Sequence, residues 1–139
     1  SSLGEEDLNN YIASLEADFS QDPTQEKRLT LAQALVQAGR MEEVQELLKP
    51  LWPSKIGAEG TWILLQADRA LGQPERAIAL AGTLATDQDP VADPDLWALV
   101  AVTCLESGAM EGGNQALDWA LELDPENRAL LMMNAQQKQ

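Results

Sequence analysis

The side chains that most often carry protein chemistry are scarce in this chain, and those present stand at spacings that suit other work. There is no histidine, and the one cysteine is Cys104. That excludes imidazole-based triads and histidine metal sites, and a single thiol cannot build a thiolate metal cage within the chain. It also excludes an intramolecular disulfide, and its place in an apolar helical stretch points to an inert buried thiol. Paired carboxylates occur at Glu5/Glu6 and Glu42/Glu43. They stand at the starts of expected helices, where negative charge favours the helix dipole, and not at a shared cleft suited to acid–base work. Asp87, Asp89, Asp93 and Asp95 offer oxygen ligands but lack the glycine and the spacing of a calcium loop. No glycine-rich phosphate loop is present. The expectation is a chain that is not an enzyme, with no catalytic residue, no metal and no cofactor.

What remains is recognition chemistry, and it depends on the elements that position it. The 139 residues are one domain's worth of chain, and an apolar share of 45% is ordinary for a folded protein. Alanine and leucine dominate while β-branched residues are few, which predicts an all-α fold. The net charge of −14 disfavours nucleic acid and anionic lipid surfaces as partners. No apolar run is long enough to span a bilayer, and no signal-peptide pattern occurs, so no direct membrane insertion is expected. The chain opens Ser1-Ser2, which suggests a fragment or processed form of a longer protein. A soluble setting is expected, with cytoplasm and periplasm both open.

Gly39, Gly72 and Gly108 recur at intervals of 33 and 36 residues, each between two stretches of helical apolar spacing. A period of roughly 34 residues is that of stacked helix–turn–helix units, which bury their apolar faces against one another. The boundaries that follow are an N-terminal helix in 1–22, helix pairs at 24–52, 58–84 and 94–123, and a closing helix in 125–139. In the first helix, expected from Glu5 to Phe19, Leu8, Tyr11, Ile12, Leu15 and Phe19 form one stripe. Asp22-Pro23, Asp93-Pro94 and Asp124-Pro125 read as helix starts, with Asp capping and Pro in the first turn. The first pair joins 24–38 to Met41–Leu51 with a distorted end at Pro50, and Trp52 to Gly60 reads as a loop. The second pair joins Thr61–Leu71 to Pro74–Leu84, and the third joins Pro94–Ser107 to Met110–Leu123. The closing helix runs from Glu126 to about Gln136, with Leu130, Leu131 and Met133 inward and Asn127 toward water.

The third pair resembles a tetratricopeptide repeat. Trp97, Val100, Ala101 and Cys104, then Gly113, Leu117 and Pro125, take the places of the family's W-x2-L-G-x2-Y, A-x3-F and P. The first pair fits through Arg28, Leu31, Ala32, Leu35, Val44 and Leu48. The second fits through Thr61, Leu64, Leu65, Asp68, Ala77 and Ala81, but Leu65 stands where a small residue is usual and Asp68 where a large ring is usual. The resemblance implies a right-handed α-solenoid of about three tetratricopeptide-like pairs with an extra helix at each end. It also implies an interaction scaffold that holds a protein or peptide segment in a concave groove, as bacterial modules of this kind do in assembly factors. The groove positions are Leu29, Gln33, Val36 and Gln37, then Trp62, Gln66 and Arg69, then Ala98, Val102 and Leu105. Trp62 either projects into that groove or, with the register slipped by one residue, fills the core slot that Trp97 occupies in the third pair. Arg69 is either a groove cation or a local partner of Asp68. Trp52 is expected half-buried, and Trp119 is expected beneath the closing helix. Two alternatives stand beside the scaffold: a self-association module forming homo-oligomers, and an accessory domain of an enzyme whose catalytic part lies elsewhere.

Overall fold

Local capping and apolar spacing resolve the chain into eight α-helices, described over residues 2–138 (side chains from residue 4) in a computed structural model. They are α1 (Ser2–Gln21), α2 (Gln25–Gln37), α3 (Met41–Leu48), α4 (Gly57–Ala70), α5 (Glu75–Thr83), α6 (Pro94–Glu106), α7 (Met110–Leu123) and α8 (Arg128–Gln137). A 3₁₀ turn at Lys49–Leu51 follows α3, where Pro50 cannot continue the α-helical ladder. The fold is all-α, with no strand among the described residues. Gly39, Gly72 and Gly108 have φ of +74°, +68° and +87°, the left-handed conformation that ends a helix at little steric cost when no Cβ is present.

Two compact units emerge, Ser1–Leu71 and Gly72–Gln139, and the boundary falls between the two helices of the pair expected at 58–84. In the first unit α2 packs on α1, on α3 and on α4, and α3 also packs on α4. Its core is Ile12 of α1, Leu31, Ala32, Ala34 and Leu35 of α2, Val44 and Leu48 of α3, then Ile56, and Ile63, Leu64 and Ala67 of α4. Leu8, Leu15, Phe19 and Trp52 close its edges. Tyr11 does not belong to the buried stripe: it is 50% exposed. The inward line of α1 is Leu8, Ile12, Leu15 and Phe19, and Tyr11 lies a full 100° step around the helix from Ile12.

Three further expectations need correction in this unit. The cap of α2 is Thr24, whose hydroxyl accepts the Lys27 N–H at 3.2 Å, while Asp22 instead joins Asp18 in binding the Lys27 ammonium at 3.1 and 3.0 Å. The loop after Trp52 is shorter than expected, because α4 begins at Gly57 and not at Thr61. Gly60 lies inside that helix, where a Cβ would fall 2.7 Å from Ile56 Cγ1; here glycine permits a close approach and marks no turn. Asp68, where the resemblance leads one to expect a ring, is 1% exposed and accepts the Gln45 side-chain amide at 2.8 Å, a polar tie between α3 and α4.

In the second unit α6 packs on α5 and α7, α5 also packs on α7, and α8 packs on α7. Ala77 and Ala81 of α5, Leu96, Trp97, Val100, Ala101 and Cys104 of α6, Ala116, Leu117 and Ala120 of α7, and Leu130 of α8 are buried. Small residues set the helix spacing. A Cβ on Gly113 would lie 2.6 Å from Leu105 Cδ2, and one on Gly112 would lie 3.2 Å from the Ala81 Cβ. The two adjacent glycines thus let α7 approach α6 and α5 at once. Asp93 caps α6 as expected, accepting the Asp95 and Leu96 N–H groups, with Pro94 in the first turn.

The α5–α6 connection is held by an arrangement that involves both tryptophans of the unit. The Val91 carbonyl accepts the indole N–H of Trp97 at 2.6 Å and that of Trp119 at 3.3 Å. Trp119 therefore turns its polar edge to this connection. That last helix starts at Arg128, later than expected, because Asn127 is its cap and accepts the Leu130 N–H at 3.1 Å. Asn127 is consequently engaged and not simply solvated, and it also donates to Asp124. Of the apolar side chains on α8, Leu130 is buried, Met133 is half-buried, and Leu131 is 46% exposed.

Candidate functional site

The helices α2 and α4 cross at a point fixed from both sides. Leu29 of α2 reaches over Gly60 of α4, its Cδ2 3.5 Å from where a Cβ on that glycine would stand. One turn along α2, the Gln33 amide donates to the Glu59 carboxylate at 3.0 Å. Leu29, Gln33, Val36 and Gln37 then lie along one stripe of α2. Glu59, Trp62, Gln66 and Arg69 lie along one stripe of α4 at spacings of three and four residues. Seven expected site residues of the first unit thus belong to two stripes joined by one crossing.

The character of this face is mixed. Leu29, Val36 and Gln66 are half-buried, Gln33, Gln37 and Arg69 are exposed, and Trp62 is 37% exposed. Trp62 is therefore a surface ring, in contrast to Trp97, which is 1% exposed. An amphipathic ring beside amides and one charge of each sign can hold a polypeptide by hydrogen bonds and side-chain contact. Glu59 is the residue that sequence reasoning missed. Its position three before Trp62 was the available signal, hidden by reading Gly57 and Gly60 as loop residues.

The remaining positions, Ala98, Val102 and Leu105, lie on α6 in the second unit and are all half-buried. Leu105 rests against Gly113 of α7, so part of its side chain is committed to helix packing. Cys104 is fully buried, and burial pushes its thiol up from the ordinary value of 9.0. In the acidic connection, Asp93 is engaged as a helix cap and Asp87 accepts the Asp89 N–H. Among the described residues no group of three His, Cys, Asp or Glu converges as a metal site requires. Nor, among them, is any helix long and apolar enough to cross a membrane.

Arg28 stands on α2 at the position expected to correspond to Trp97 of α6. Its guanidinium lies 5.0 Å from the centre of the Phe19 ring and donates to the Leu47 carbonyl at 3.0 Å. A planar cation thus joins α1, α2 and α3. Lys27, bridging Asp18 and Asp22, has its ammonium pKa raised by hydrogen bonds to Asp18 and then Asp22. Glu43 has its carboxyl lowered by the hydrogen-bonded Arg40 guanidinium.

Compared with protein-family models and with curated proteins, the chain matches none.

Proposed function

We propose that this chain is a tetratricopeptide-like interaction module that binds a segment of a partner protein on the joined stripes of α2 and α4, and that it is not itself an enzyme. The architecture we infer is a right-handed α-solenoid of helix pairs. Its support is the packing inside each unit, where a helix touches the next and the next but one: α2 on α3 and α4, and α5 on α6 and α7. Left-handed glycines at the three expected joints support the same reading. The observation that carries the binding site is Trp62, a ring 37% exposed on a face whose backbone is fixed by the Leu29–Gly60 and Gln33–Glu59 contacts. A rigid aromatic side chain in a preorganised surface is the kind of anchor on which interfaces depend.

The test is retention of a partner on immobilised protein. Trp62→Ala with Arg69→Ala is expected to abolish retention while far-UV circular dichroism keeps its helical signal. Retention unchanged by the pair of substitutions would refute the site, and loss of helicity in Trp62→Ala alone would identify the ring as structural. A second reading, self-association, is favoured by Leu131 and Met132 of α8, 46% and 64% exposed. Sedimentation across a wide concentration range separates the two, and a stable monomer would refute self-association.

A further inference from the structure

The second unit contains a shallow cleft of about 430 Å³ between the α5–α6 connection and α7. Half-buried Leu84, Pro90 and Trp119 give its lining an apolar floor, and the exposed Asp87, Asp118 and Glu122 line it toward solvent. Glu122 lies one turn of α7 from both Asp118 and Trp119, at spacings of four and three residues. The indole of Trp119 is held in place, because its N–H shares the Val91 carbonyl with Trp97. The same carbonyl belongs to the connection that supplies Pro90 and Asp87, so wall and floor are fixed to one another. Neither Asp118 nor Glu122 forms an ion pair with a described residue. The unit as a whole has eleven Asp and Glu against three Lys and Arg.

We propose that this cleft receives an arginine side chain from a partner segment, its guanidinium stacked on the Trp119 indole and its N–H groups shared among Asp87, Asp118 and Glu122. Charge decides the occupant: exposed carboxylates beside an indole repel an anion and leave a neutral apolar group facing solvated charge. Arginine fits better than lysine because it is planar, stacks on an indole, and presents a fork of donors that matches carboxylates. The site lies entirely in the second unit and does not depend on the α2–α4 reading.

The probe is the blocked peptide acetyl-Gly-Arg-Gly-Arg-Gly-amide, with a counterpart in which citrulline, nearly the same shape but uncharged, replaces arginine. Titration of the intact chain is followed by the ¹H–¹⁵N resonances of its four indole N–H groups. The Trp119 resonance is expected to shift saturably with the arginine peptide and to stay in place with the citrulline peptide. Asp118→Asn with Glu122→Gln is expected to weaken binding by about tenfold, since both carboxylates contact the guanidinium. Glu111→Gln with Glu126→Gln removes the same charge elsewhere in the unit and is expected to weaken it by less than about twofold. Equal weakening by both pairs would reduce the effect to a diffuse field and overturn the site. So would equal binding of the citrulline peptide, or a stationary Trp119 resonance.

Discussion

A Cβ added at three glycines of the second unit meets three different surroundings, which makes alanine substitution a graded test of how closely α5, α6 and α7 pack. At Gly82 nothing lies within 4 Å, so alanine contributes only its better helix propensity, about 0.5–1 kcal/mol of added stability. At Gly112 the Ala81 Cβ is 3.2 Å away, so the α5–α7 contact must open by a few tenths of an ångström. The propensity gain there is largely offset, and the net change is expected near zero, within about 0.5 kcal/mol. At Gly113 the new methyl would lie 2.6 and 2.7 Å from two Leu105 carbons and 3.3 Å from the Leu105 backbone nitrogen. Rotating Leu105 clears the first two contacts but not the third, so α6 and α7 must separate. Overpacking of this kind costs about 1–3 kcal/mol against about 1 kcal/mol of propensity, a net loss of about 1 kcal/mol. The assay is urea unfolding of each variant followed at 222 nm. Leu105→Ala in the Gly113→Ala background is expected to recover part of the loss, with a coupling of about 1 kcal/mol that distant pairs do not show. If Gly113→Ala stabilised the protein as much as Gly82→Ala, the close α6–α7 approach would be refuted.

Other expectations follow from the same packing. Trp97→Ala empties a fully buried ring site and removes one of two donors to Val91, so unfolding experiments should register a loss of about 3–5 kcal/mol. Arg28→Lys keeps the charge but loses the planar contact with Phe19 and the geometry of the bond to Leu47. A loss of about 1–2 kcal/mol is expected, and an unchanged denaturation midpoint would show the stacking to be incidental. Cys104 should react with a thiol reagent far more slowly in the native protein than in urea, since burial raises its pKa and hides the sulfur. The sign for stability follows: the folded state favours the neutral thiol, so stability is full below the ordinary value of 9.0 and declines as pH rises above it. Cys104→Ala should remove that component of the alkaline decline, and an identical pH profile in the variant would contradict it.

Much of the fold was legible because it is written locally. Each hinge glycine needs only its own φ, and the Asp93-Pro94 start of α6 needs only its neighbours, so both were readable from spacing. What was hidden depends on residues far apart in sequence. Gly60 looks like a loop residue until Leu29 and Ile56 are seen to need the space, and Gly57 opens the helix with a φ of +75°. Asp68 looks misplaced until Gln45 reaches it from α3. The turn of Trp119 toward Val91 depends on a carbonyl 28 residues away that Trp97 also holds. On the candidate face, residue identities gave the two stripes, but only the α2–α4 crossing joined them and brought in Glu59.

The most direct measurement places a photo-activatable amino acid at Gln33 or Gln66 of the candidate face, or at the exposed Gln21 at the end of α1, in cells that make the protein. The account predicts one discrete adduct with a second polypeptide from positions 33 and 66 and none from position 21. Equal adducts from all three positions, or none from 33 and 66, would contradict it.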